Sequence, residues 1–297
     1  MTGMTEAKRE KEALFYEVLE NGIAECGLCP HLCKIPNQKT GLCHARRNEN
    51  GFLVTESYGK LTSVALDPIE KKPLYRFYPG SKILSLGSFG CNLRCAFCQN
   101  HSISMQKAAE FSGRIFSPEE IADISKECAK KGNIGVAYTY NEPLVGYEFV
   151  EDCARAIQSQ GQKNVLVTNG FVNPEPLLRL LPFIDALNID LKTFDPVFYK
   201  ELGGELEAVK RSIESAAASG AHLEVTVLVI PGKNDSDAEM EQISKWLSGV
   251  DVNIALHITK FFPAYKMQNI PPTPEATIYN LVKIAKNNLK YVYPGNV

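Results

Sequence analysis

The stretch Lys82-Ile83-Leu84-Ser85-Leu86-Gly87-Ser88-Phe89-Gly90-Cys91-Asn92-Leu93-Arg94-Cys95-Ala96-Phe97-Cys98-Gln99-Asn100 sets the reading of the chain. Its first six residues form an apolar run of strand length, and three cysteines in a compact loop follow directly. From there on, short apolar runs alternate with helical segments. Further strands are expected at 134–140, 164–168, 186–191, 223–230 and 253–258. The helices between them have recognisable starts. Ser117-Pro118-Glu119-Glu120 is a capping box with proline at the first helical position, Ser236-Asp237-Ala238-Glu239 repeats that logic, and Thr273-Pro274 opens the last helix. Six β/α units in series imply a parallel sheet with right-handed crossovers, too few to close an eight-stranded barrel. The class is therefore α/β. A curved, open partial (β/α)6 TIM-like barrel is the expected form, with a doubly wound sheet as the alternative.

Upstream of that core the pattern differs. Residues 6–20 read as a short helix closed by Asn21-Gly22, followed by a Cys-rich loop over 26–43. Two β-like stretches follow, around 52–58 and 61–66, and then a proline-punctuated segment ending at Pro79-Gly80. This divides the chain into a small Cys-rich N-terminal extension, 1–80, and a core domain, 81–297.

Of the 297 residues, 44% are hydrophobic and 22% charged, enough apolar material for a substantial core. Lys and Arg number 32 against 34 Asp and Glu, and the net charge of −2 gives no clear nucleic-acid signal. There is no apolar leader and no run of 18 apolar residues, so no membrane association is expected and the reading places the protein in the cytoplasm. That compartment disfavours structural disulfides, and nine cysteines therefore call for another explanation. Seven fall in two clusters. Cys128 and Cys153, isolated in helical patterns, read as small buried apolar residues.

In the loop, Cys91, Cys95 and Cys98 are spaced x3 then x2. A four-iron cluster normally takes four thiolates, so three would leave one iron open to a small molecule. A zinc knuckle would want a fourth protein ligand, and only His101 lies nearby. Gly87 and Gly90 let the backbone approach a cluster closely. With Phe97 before the last cysteine, the loop resembles the motif of the radical S-adenosylmethionine (SAM) superfamily. That resemblance implies a [4Fe–4S] cluster whose open iron chelates SAM. Reductive cleavage then yields a 5′-deoxyadenosyl radical, which abstracts hydrogen from a substrate.

More narrowly, the chain resembles the pyruvate formate-lyase activating enzyme group, and within it the AmmeMemoRadiSam-system radical SAM enzymes. The segments that carry this likeness are Cys29-Pro30-His31-Leu32-Cys33, Asp67-Pro68-Ile69-Glu70-Lys71-Lys72-Pro73-Leu74, Tyr140-Asn141-Glu142-Pro143 and Thr168-Asn169-Gly170-Phe171. Further on come Asp190-Leu191-Lys192, Ile230-Pro231-Gly232, Phe262-Pro263-Ala264-Tyr265-Lys266-Met267 and Tyr293-Pro294-Gly295-Asn296-Val297. The resemblance implies that Glu142 contacts the SAM amino group. Thr168 and Asn169 would line the SAM pocket, with Asp190 and Lys192 beside its carboxylate and ribose. Val167 stands where such relatives often have an Asp, which argues against a monovalent-cation site. Independently, alternation points Asp190 and Lys192 to one face, where burial demands a partner or a ligand. His257, Tyr265 and Lys266 are weaker candidates, and His222 and His101 have no motif support.

Cys26, Cys29, Cys33 and Cys43 form a second group, C-x2-C-x3-C-x9-C. Four thiolates suffice for either a structural zinc or an auxiliary iron–sulfur cluster, with His31 or His44 able to replace one. Relatives of the branch often continue past Val297 into a Cys-containing tail; a shared site would then be less complete here. The expected activity is that of a radical SAM oxidoreductase supplied by a flavodoxin- or ferredoxin-like reducing partner. Its hydrogen donor is unidentified, and the activating-enzyme likeness suggests a glycyl-radical-type protein substrate. An iron–sulfur electron-transfer protein without SAM chemistry is the alternative.

Overall fold

The computed structural model describes residues 11–297. Thirteen strands and eight α-helices are found among them. The N-terminal part holds β1 (Tyr16–Val18), β2 (Ala24–Cys26) and β3 (Lys34–Ile35) in one antiparallel sheet. A hairpin of β4 (Arg46–Glu49) and β5 (Phe52–Thr55) follows. β6 (Ser63–Pro68) then pairs antiparallel with β7 (Lys82–Gly87), so the main sheet begins before residue 80. The remaining strands are β8 (Asn133–Tyr138), β9 (Lys163–Thr168), β10 (Ala186–Asp190), β11 (His222–Val229), β12 (Ala255–Lys260) and β13 (Tyr291–Gly295). The helices are α1 (His101–Ser104), α2 (Pro118–Cys128), α3 (Tyr147–Ser159), α4 (Pro174–Leu180), α5 (Pro196–Glu201), α6 (Leu206–Ala218), α7 (Asp237–Asp251) and α8 (Glu275–Ala285).

The eight-stranded sheet runs β13-β12-β11-β10-β9-β8-β7-β6, with β7 through β13 parallel. Strand order never reverses. Each right-handed crossover moves one place along the sheet and puts its helices on the same face, so the sheet curls as in a barrel rather than winding both ways. β6 and β13 do not pair, which leaves the barrel open. Apolar side chains such as Leu84, Val136, Leu166, Ile189, Val225 and Leu256, each essentially buried, pack the sheet against its helices, and a second cluster of Ile83, Ala137, Val165 and Ala186 with Ile69, Leu74 and Phe77 fills the opposite, inner face. At about 2 kcal/mol per buried aliphatic side chain, such packing dominates the local stability of the sheet.

The six strands expected from residue 82 onward fall within a residue or two of those observed, while the stretch expected at 52–58 is shorter, Phe52–Thr55. The seventh parallel strand, β13, was not anticipated, because Pro294 and Gly295 interrupt an already short run. Proline cannot donate to a ladder, and here it sits on a strand at the edge of the sheet. The expected helix over 6–20 is corrected within the described residues. Tyr16–Val18 is extended and pairs with Ala24–Cys26 across a turn in which Asn21 and Gly22 take positive φ. Hairpin pairing there overrides a composition rich in helix formers; residues 6–10 lie outside the described residues. The expected loop over 26–43 contains β3.

Helix starts follow the sequence closely. Ser117 Oγ accepts from the Glu120 N–H at 3.2 Å, and Glu120 accepts from the Ser117 N–H at 2.9 Å. Ser236 caps Glu239 likewise, but the Glu239 carboxylate turns instead to Thr193 Oγ1 and the Phe194 N–H. The N-terminal part is anchored to the barrel by the ion pair of Arg46 with Glu148 of α3, both side chains 1% exposed. Two hydrogen bonds from Asn173, to the Gly27 and Leu28 carbonyls, add to it.

Candidate active site

At the C-terminal ends of the parallel strands lies a cavity of about 410 Å³. Its wall brings together Cys91, Cys95, Cys98, Glu142, Thr168, Asn169, Asp190 and Lys192, every core residue singled out from the sequence for cofactor binding. Four strands supply them. The thiols follow β7, Glu142 follows β8, Thr168 ends β9 with Asn169 directly after it, and Asp190 ends β10.

The cysteine loop is held by its own backbone contacts. Gly90 takes φ +87, and a Cβ there would collide with the Cys43 carbonyl oxygen. Asn141 clamps the preceding turn. Its amide donates to the Phe89 and Gly90 carbonyls, and its oxygen accepts from the Ser88 N–H at 3.0 Å. Arg94 closes the far side by donating to the Cys91 carbonyl at 2.6 Å, while its own N–H donates to Leu202. All three thiols are free. Burial pushes Cys91 well above the usual thiol range, and the charges of Glu142 and Cys95 add to this. Burial takes Cys95 up to about 11, against the nearby Lys192 charge. Crowded, desolvated thiols of this kind fit a bound cation that would displace their protons.

Glu142 is 3% exposed and accepts three hydrogen bonds. Thr168 Oγ1 (2.7 Å) and the Leu144 N–H (3.1 Å) reach one oxygen, and the Asn169 N–H (2.8 Å) reaches the other. Burial raises its pKa to about 7 despite these donors. Asn169 in turn donates to the Asn92 side chain at 2.9 Å and approaches Cys91 Sγ at 3.7 Å. Lys192 pairs with Asp190 at 2.6 Å, as strand alternation requires. Burial would lower the Lys192 pKa, but the Asp190 and Cys95 charges outweigh it and raise it. Val167 lines the cavity as well.

Several neighbours were not assigned roles from sequence. Asp67, Lys72 and Tyr140 form a cluster at the cavity edge. Lys72 lies 2.9 Å from Asp67 and over the Tyr140 ring, and the Tyr140 hydroxyl donates to Asp67 at 2.5 Å. The Asp67-to-Leu74 segment was the available signal, since a 2%-exposed lysine needs such a partner. Thr226, Thr259 and Asn296 complete the far wall. His257 is corrected: it lies in the middle of β12 rather than at its end. There it bonds Glu224 at 2.5 Å, away from the cavity lining. Tyr265 stacks on His101, and the Lys266 N–H donates to Ala96, both on the outer side of the cysteine loop. Cys153 is fully buried in α3, and Cys128 partly. Cys26, Cys29, Cys33 and Cys43 line a separate cavity with His31, Arg46 and Asn92; His44 does not line it.

A family model described as the Radical SAM superfamily matches residues 86–247. An uncharacterized protein of Methanocaldococcus jannaschii is 39% identical over 289 residues, covering 97% of this chain and 85% of the relative. The GTP 3′,8-cyclase of Limosilactobacillus fermentum is 31% identical over 173 residues, covering 55% of this chain and 49% of that enzyme, about half its length. Among solved structures, Streptococcus suis SuiB bound to S-adenosylmethionine aligns with TM-score 0.55 and 14% identity, over 70% of this chain and 48% of SuiB. SuiB has also been solved bound to a precursor peptide, with TM-score 0.54 over 70% of this chain and 46% of SuiB, at 14% identity.

Proposed function

The chain belongs to the radical SAM superfamily, with a [4Fe–4S] cluster and SAM as its cofactors, and from this we propose the residues that hold them. Cys91, Cys95 and Cys98 would hold the cluster through three of its irons and leave the fourth to take SAM. One observation carries the reading: the three thiols, the Glu142 carboxylate and the Asp190–Lys192 pair all face one cavity large enough for a nucleoside. When bound, the cluster and SAM together supply a one-electron cleavage that generates the 5′-deoxyadenosyl radical.

The chain's own residues position and shield that chemistry. Glu142 keeps one acceptor site open toward an N–H of the SAM amino group while Thr168 and Asn169 hold its orientation. Lys192 faces the SAM carboxylate, with Asp190 fixing its position and accepting from the ribose. The apolar cluster of Ile83, Ala137, Val165 and Ala186 on the same inner face would help exclude water from a reactive radical. Lys71, Lys72 and Asn296 stand at the substrate side of the cavity. A flavodoxin- or ferredoxin-like protein supplies the electron. The hydrogen donor is a polypeptide; the activating-enzyme likeness supports this, and a protein of this fold, SuiB, binds a peptide. Installation of a glycyl radical is the form of that reaction we favour.

The test is spectroscopic. In anaerobically reconstituted, dithionite-reduced protein, SAM alters the electron paramagnetic resonance spectrum of the cluster, and the Cys91→Ala/Cys95→Ala/Cys98→Ala variant shows no SAM-dependent signal. A reduced cluster whose spectrum ignores saturating SAM contradicts the reading and favours a simple electron carrier.

A further inference from the structure

The four N-terminal cysteines serve no part of the SAM cavity, yet the fold gathers them. Cys26 ends β2, Cys29 and Cys33 lie in the turn leading to β3, and Cys43 precedes β4; all four thiols are free and line one cavity. Arg46 also lines it. Its side chain is fully buried, with Nη1 3.7 Å from Cys26 Sγ, while its Nε finds no hydrogen-bond partner among the described residues. An orphaned buried N–H costs about 1–3 kcal/mol unless something accepts it, and a sulfur-rich anion in the cavity would.

The spacing of the donors distinguishes the occupants. A tetrahedral zinc with Zn–S near 2.3 Å draws its sulfurs to within about 3.8 Å of one another. Among the described residues, no three Cys, His, Asp or Glu side chains gather in single-ion geometry. Thiols arranged round a cavity without closing on a point suit a polynuclear cluster.

The second group also touches the first. The Asn92 side chain lines this cavity beside Cys29 and accepts from Asn169, whose amide approaches Cys91 Sγ at 3.7 Å. The carbonyl of Cys43 packs directly on Gly90, the residue before Cys91. Cys33 is partly exposed, so the cavity lies within reach of the surface.

We propose that Cys26, Cys29, Cys33 and Cys43 hold a second iron–sulfur cluster that contacts the Cys91–Cys98 loop through Asn92 and relays electrons to it. One electron arrives from a low-potential protein donor and passes to the loop cluster, with no bond made or broken. The relay rests on the proposed function; the metal assignment does not.

Reconstituted wild-type protein is expected to bind about eight iron and eight sulfide per chain, and the Cys91→Ala/Cys95→Ala/Cys98→Ala variant about four of each. About four iron in the wild type overturns the assignment, as does a triple variant that is folded but holds zinc and no iron. Should the triple variant fail to fold, Mössbauer spectra of the wild type decide. Two four-iron sites, only one of them shifted by SAM, support the assignment, and a single site overturns it. With both clusters reduced, the paramagnetic resonance signals broaden one another; independent signals overturn the relay while leaving the iron count to judge the metal site.

Discussion

At Glu142 a buried carboxylate collects three donors and keeps one acceptor position for a ligand. Its raised pKa, about 7 and caused chiefly by burial, means that it is largely protonated below neutrality in the absence of ligand. The ionised carboxylate is the stronger acceptor for the N–H groups of the SAM amino end, so SAM affinity is predicted to rise several-fold between pH 6 and 7.5. In Glu142→Gln the affinity falls roughly tenfold or more and that pH dependence flattens, as isothermal titration of cluster-loaded protein would show. A Gln variant that keeps both affinity and slope would remove Glu142 from the amino-group site. The three thiols could be read from spacing alone, since coordination chemistry imposes it. Asn92 and Asn141 could not. Each is an ordinary polar residue in sequence, and its importance comes from partners 77 and 53 positions away.

At the scale of strands and helices, local chemistry was legible where a signal is self-contained. The reciprocal Ser117–Glu120 box needs only four consecutive residues and forms as expected. The segment before residue 21 needs a partner strand to declare itself, so its helix-favouring composition misleads. β11 shows how elements are locked together. Its Glu224 accepts from His222, from His257 of β12 and from the Tyr75 and Arg76 N–H groups. Burial would raise its pKa, but the His222 and His257 hydrogen bonds outweigh it and lower the value from 4.5 to about 2. A carboxylate depressed on folding stabilises the native state fully above its unfolded pKa, and loses that contribution as pH falls toward the folded value. The contribution is therefore present above about pH 4.5 and disappears toward pH 2. Glu224→Gln is predicted to cost about 3 kcal/mol at pH 7 in urea unfolding, with the difference from wild type shrinking across that acid window. Equal stabilities at pH 7 would show that the cluster contributes nothing net.

Across the whole molecule, strand order explains why residues remote in sequence meet. A sheet that advances one strand per crossover places all its C-terminal ends on one rim, so the turns after β7, β8, β9 and β10 converge there. The α/β class and the rim position of the cofactor candidates were legible from periodicity. The docking of the Cys-rich part was not, because it depends on contacts remote in sequence, such as the buried ion pair of Arg46 with Glu148, 102 positions apart. No helix among the described residues is long and apolar enough to cross a membrane. The central claim is that this rim binds and cleaves SAM, and quantifying 5′-deoxyadenosine after anaerobic reconstitution, dithionite reduction and incubation with SAM tests it most directly. The account predicts nucleoside formation by the wild type and none by the Cys91→Ala/Cys95→Ala/Cys98→Ala variant. A fully loaded wild type that releases no 5′-deoxyadenosine, or a variant that still releases it, would contradict the account.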